Sequence, residues 1–151
     1  MTTSLVYVVD ASVAAQVVSP EPLTTQATAL FALLIGGQAT FHVPELFYIE
    51  CANIFWKKKQ RGVCSESQAV QALSDLLALP LISTAHAVLA VDALKLALAL
   101  DITAYDACYL ALAERLGVPL ITADQKLERK LAGSGRAIVW LGAWTPPSGT
   151  P

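Results

Sequence analysis

Charge is scarce in this chain. Asp, Glu, Lys and Arg make up 15% of its 151 residues against 55% hydrophobic ones, and the formal net charge is −2. A protein that held nucleic acid mainly through a positive field would need the opposite balance, which disfavours that class without excluding an enzyme acting on nucleic acid. The three cysteines, Cys51, Cys64 and Cys108, contain no C-x-x-C pair, so the usual zinc and dithiol motifs are missing. Cys51 and Cys108 fall in helical patterns as buried free thiols, which suits a reducing compartment; a cytoplasmic location is expected. His42 and His86 are far apart and neither has a partner at metal spacing, so histidine acid–base chemistry is not expected.

Long hydrophobic runs are absent as well. The longest apolar stretch, Ala85 to Ala113, is interrupted by Asp92, Lys95, Asp101 and Asp106, short of the roughly 18 unbroken residues of a membrane span. The apolar run before Asp10 is short and has no basic flank, so neither a targeting segment nor membrane association is expected. There is no G-x-S-x-G elbow, no phosphate loop of the G-x-x-x-x-G-K-[ST] type and no G-x-G-x-x-G fingerprint. Asp10-Ala11-Ser12 lacks the second Asp of a D-x-D phosphatase.

The charges that are present are placed unevenly. Asp10, Glu50, Asp106 and Asp124 sit in or just after strongly apolar segments, where an ionised carboxylate costs several kcal/mol unless a cation meets it. The basic residues are grouped: Lys57, Lys58, Lys59 and Arg61 follow Glu50, while Lys126, Arg129, Lys130 and Arg136 follow Asp124. The high apolar share predicts a large core and an apolar surface committed to a partner.

The pattern along the chain predicts strands alternating with helices. Leu5–Val9 is β-branched and apolar on both faces, as in a central parallel strand. Helices are expected over Ala11–Val18 and from about Leu23 to Ile35, the second stopped by Gly36-Gly37. A strand at Thr40–Val43 precedes a helix over Glu45–Lys59, and a helix over Ser65–Leu79 with Ser65 as cap precedes a brief strand at Leu81–Ser83. Ala85–Leu100 reads as helix, and Thr103 to Asp106 resembles a capping box opening a helix that runs to Leu116 and ends at Gly117. Strands at Val118–Thr122 and Ala137–Leu141 flank a short basic helix. The expected fold is a single α/β domain over residues 1–143, with a mostly parallel sheet of about five strands flanked by helices; residues 144–151, rich in Pro, are expected to form a disordered tail.

In such sheets the site lies beyond the C-terminal strand ends where strand order reverses. Asp10 and Asp124 occupy that end, and Glu50 and Asp106 on neighbouring helices can converge on it. Oxygen donors without His or Cys suit Mg²⁺ or Mn²⁺, and the chemistry that uses them is phosphodiester hydrolysis. Plainer readings stand beside this one. Asp10, Asp106 and Asp124 can all serve as helix caps, whereas Glu50, in mid-helix, has no free backbone donor. Ser12 and Thr122 are placed to orient a carboxylate and Asn53 to support Glu50, but each also fits an ordinary structural role. Lys57, Lys58, Lys59 and Arg61 suit phosphate contacts, though a charge run at a helix end commonly just meets solvent.

Three stretches carry a resemblance to the PIN-domain family, in particular to the VapC-type toxins of toxin–antitoxin pairs. They are Val8-Val9-Asp10-Ala11-Ser12; Val43-Pro44-Glu45-Leu46 through Glu50 to Asn53; and Thr103-Ala104-Tyr105-Asp106-Ala107-Cys108-Tyr109-Leu110-Ala111-Leu112-Ala113 with Pro119-Leu120-Ile121-Thr122-Ala123-Asp124. The last is the most specific, and nearly all of the chain to about Leu141 is covered. The resemblance implies a Mg²⁺- or Mn²⁺-dependent ribonuclease whose acidic residues fall on Asp10, Glu50, Asp106 and Asp124. It also implies a homodimer held inactive by a cognate antitoxin. A PIN-like nuclease of RNA maturation and a binding module whose acids merely cap helices are the alternatives.

Overall fold

The computed structural model describes residues 4–149. Its elements follow the order β1 (Leu5–Val9), α1 (Ala11–Val18), α2 (Thr24–Ile35), β2 (Ala39–Pro44), α3 (Leu46–Gln60), α4 (Glu66–Ala78), β3 (Ile82–Thr84), α5 (His86–Leu100), α6 (Ala104–Leu116), β4 (Leu120–Thr122), α7 (Gln125–Leu131) and β5 (Ile138–Trp140). The five strands form one sheet in the order β3-β2-β1-β4-β5, with every pairing parallel. The expected α/β class and five-stranded sheet are therefore observed.

The details follow local chemistry. β4 is shorter than the expected Val118–Thr122; Pro119 has no N–H to give to a central ladder. Gly117 caps α6 with φ +66, where a Cβ would be strained, and turns the chain into β4. Ser65 caps α4 in a full capping box with Gln68. Thr103 caps α6 by accepting from the Asp106 N–H at 3.1 Å, and the Thr103 side chain in turn holds the Asp106 carboxylate.

α6 is the central helix. Its residues Ala107 to Ala113 are all buried, as expected for a helix that is apolar all round. Phe41 packs edge-on against Tyr7 and Phe31, tying β1 and β2 to α2. Trp144, the first residue of the expected tail, is 8% exposed and belongs to the core; the tail's last residues, 150–151, lie outside the described part. No helix among the described residues is long and apolar enough to cross a membrane.

α5 is different. Val88, Val91, Leu94 and Leu98 line one face and are 52%, 66%, 56% and 77% exposed. The apolar surface expected from composition is thus present.

Lys58 corrects an expectation. It is buried, not part of an exposed basic run, and its ammonium donates to the Ala15 carbonyl at 2.8 Å, Ser19 Oγ at 2.6 Å and Glu21 Oε1 at 2.8 Å. It faces inward because α3 packs on α1, whose last carbonyls need donors. Replacing it with Met keeps the stem but leaves Glu21 and two acceptors unpaired. Lys58→Met is expected to lower the unfolding free energy by about 2 kcal/mol in urea titrations; a loss below about 0.5 kcal/mol would mean that the clamp contributes little.

Candidate metal and active site

The strand order reverses between β1 and β4, so the crevice opens where these two neighbours end. Asp10 follows β1, and its N–H donates to the Ile121 carbonyl of β4 at 3.2 Å. Asp124 follows β4. The register that pairs Val9 with Ile121 therefore sets both acids at one end of adjacent strands.

Asp10 is buried and held by its neighbours. Its Oδ1 accepts from the Ser12 N–H at 3.0 Å and from the Ser12 hydroxyl. The same Ser12 oxygen accepts from the Ala123 N–H at 2.9 Å and lies 3.4 Å from the Thr122 hydroxyl. Thr122, fully buried, accepts from the Asp124 N–H at 3.0 Å. Ser12 and Thr122 thus stitch the ends of β1 and β4 together beneath the acids. Asp10 and Asp124 do cap α1 and α7, so the plain reading and the functional one coexist.

Glu50 reaches the crevice from α3, and the Tyr109 hydroxyl of α6 donates to its Oε2 at 3.1 Å. Tyr109 was not among the residues singled out from the sequence. The available signal was its spacing: one turn after Asp106, it shares that residue's helix face. Asn53 is exposed and its side chain makes no hydrogen bond among the described residues, so the structure does not bring it into the cluster. Lys57, Lys59 and Arg61 are exposed at the far end of α3.

The electrostatics are one-sided. Burial pushes the Asp10 carboxyl from 3.8 up to about 7, against the hydrogen bonds from Ser12 and Thr122, and the Asp106 charge pushes the same way. Burial also raises Glu50, with the Asp106 charge adding to it, and raises Asp106, to which Asp124 adds. Asp106 is the hub whose charge links the four. The ion pairs among the described residues are Lys58–Glu21, His86–Glu45, Lys130–Asp101 and Arg136–Glu114, none of which reaches the cluster.

A hard divalent cation fits this donor set. Its donors are carboxylate oxygens, none of the ion pairs among the described residues neutralises them, and the nearby Cys51 and Cys108 thiols are held protonated by burial, which removes soft ligands. Among the described residues no three Asp, Glu, His or Cys side chains are close enough together to enclose an ion.

Residues 7–131 match the family model of the PIN domain. Over 125 residues the chain is 36% identical to Ribonuclease VapC3 of Pyrobaculum aerophilum, covering 82% of this chain and 92% of that one. Among solved structures it is similar to PAE2754 of the same organism, with a TM-score of 0.66 and 24% identity over 94% of this chain and 93% of that one. VapBC2 of Rickettsia felis, solved with a DNA fragment from its promoter, also gives 0.66, with 15% identity over 90% of this chain and 98% of that one.

The Asp10 environment generates a pH prediction. The folded protein keeps a proton on Asp10 up to about pH 7, whereas an unfolded chain releases it near 3.8. Without metal, stability therefore falls as pH rises between these values, and the penalty is complete above them. In EDTA, Asp10→Asn is expected to be more stable than the wild type by roughly 1–3 kcal/mol at pH 8 and by much less at pH 4, as read from urea unfolding. An equal difference at both pH values would refute the uncompensated charge.

Proposed function

The chain belongs to the PIN-domain family, and on that premise we propose that it is a ribonuclease of the VapC toxin type that uses Mg²⁺ or Mn²⁺. One observation supports this reading: at the strand switch point Asp10 is buried, the Asp106 charge acts on both Asp10 and Glu50, and none of the ion pairs among the described residues answers them.

Asp10, Glu50 and Asp106 are proposed to hold the ion, with Asp124 at its outer edge or on a second one. When bound, such an ion neutralises charge at a phosphodiester and lowers the pKa of water. The chain's own residues do the rest. Ser12 holds Asp10, and Thr122 holds the backbone of Asp124, so the two carboxylates keep their spacing. Lys57, Lys59 and Arg61 are exposed and are proposed to meet the phosphates of the RNA strand away from the scissile bond. Single-stranded or looped RNA is the favoured substrate, because its backbone can bend a phosphate into the crevice.

The partners belong to the same reading. The exposed apolar face of α5 is proposed to pack against a second copy of the chain. A cleft between α1, α2 and α4, lined by Val18, Phe31, Ile35, Val63 and Leu76, is proposed to receive an antitoxin segment. Val91→Glu combined with Leu98→Glu is expected to convert a dimer to a monomer in sedimentation; unchanged mass would move the dimer contact elsewhere.

The central test is cleavage of a mixed-sequence RNA by antitoxin-free protein with Mg²⁺, Mn²⁺ or EDTA. Activity should require the metal and fall by at least about 100-fold in Asp106→Asn. Ala at Lys57, Lys59 and Arg61 together should flatten the salt dependence of RNA binding. Mn²⁺ at 100 times its dissociation constant should add about 2.7 kcal/mol of stability. A protein that neither cleaves RNA nor responds to Mn²⁺ would instead be a binding module with capped helices.

A further inference from the structure

Each acid of the cluster has a donor that orients it, and for three of them the donor is local in the chain. Asp10 has Ser12, Asp106 has Thr103, and Asp124 has the Leu127 N–H at 3.1 Å. Glu50 is the exception. It lies inside α3, where backbone donors are already used by the helix, and its longer side chain has more rotamers to lose on being fixed.

Its donor comes from another element. Tyr109 is 2% exposed and among the largest fully buried side chains, and its ring is fixed by the packing of α6. The hydroxyl's hydrogen bond is the one to Glu50 Oε2 at 3.1 Å. Because Tyr109 lies one turn after Asp106, a single buried helix places one acid directly and orients another through a phenol. Engaging Oε2 leaves Oε1 without a hydrogen bond among the described residues.

Resting on the metal-dependent reading above, we propose that Tyr109 is a positioning residue: its buried hydroxyl holds the Glu50 carboxylate in the orientation that receives the divalent cation. Outer-shell partners of this kind change metal affinity by about 10- to 100-fold when removed. A hydroxyl that merely satisfied its own burial would leave metal affinity unchanged.

Tyr109→Phe removes the hydrogen bond and keeps the ring, so the core stays filled. The test measures Mn²⁺ binding to the full chain by the paramagnetic resonance signal of the free ion, for wild type, Tyr109→Phe, Glu50→Gln and the double variant. Tyr109→Phe is expected to weaken Mn²⁺ about 10-fold and to raise by the same factor the Mn²⁺ needed for half-maximal RNA cleavage. In the Glu50→Gln background it should have no further effect. Unchanged Mn²⁺ affinity in Tyr109→Phe overturns the proposal, as does an equal loss in both backgrounds, which would place its effect outside Glu50. A wild-type protein that binds no Mn²⁺ removes the metal-dependent reading and this proposal together; normal wild-type binding with an indifferent Tyr109→Phe removes this proposal alone.

Discussion

A carboxylate at the end of a buried strand must be met by a proton or by a cation, and none of the ion pairs among the described residues supplies the cation. Asp10 stands in that position, and the pairing of β1 with β4 prevents it from swinging out to water. Metal-free protein near neutral pH therefore carries a local cost, and the same cost is what makes the crevice attractive to a divalent ion. Stability and proposed activity draw on one interaction with opposite signs.

The rest of the fold keeps that tension in place. α6 is buried through its middle, so Asp106 at its first turn cannot move independently of the core. α3 delivers Glu50 and is clamped to the end of α1 by Lys58. That clamp has a second consequence. The buried Lys58 is spent on Glu21, Ser19 and the Ala15 carbonyl of α1, so its ammonium does not reach the acids. Removing a carboxylate from such a set relieves repulsion as well as deleting a ligand, as in other sites where function is held at the expense of stability.

The surface repeats the division. A chain with 15% charged residues cannot cover itself with polar groups, and its uncovered apolar side chains, present also on α3, α4 and α6, include two gathered sets, the α5 face and the cleft between α1, α2 and α4. Collected apolar area is the mark of surfaces that meet other proteins. Both lie on helices other than α6 and the start of α3, so the proposed assembly contacts and the proposed chemistry use different parts of the molecule.

Strand and helix positions were legible because they depend on local pattern: a β-branched run in β1, Gly117 at a helix end, Ser65 at a helix start. The four acids of the proposed site stand out in the sequence for a similar reason, since a charge after an apolar run is conspicuous wherever the run ends up. Side-chain direction was not. Lys58 stands among exposed Lys57 and Lys59, and only the packing of α3 on α1 turns it inward; Asn53, one turn beyond Glu50, faces water for the same reason. Tyr109 reads as one more apolar helix residue until α6 is set against α3 and its hydroxyl meets Glu50. Local spacing along the chain was enough to name the elements and the acids. Which neighbour each side chain met, a long-range matter of helix against helix, was settled by packing and could not be read from residue order.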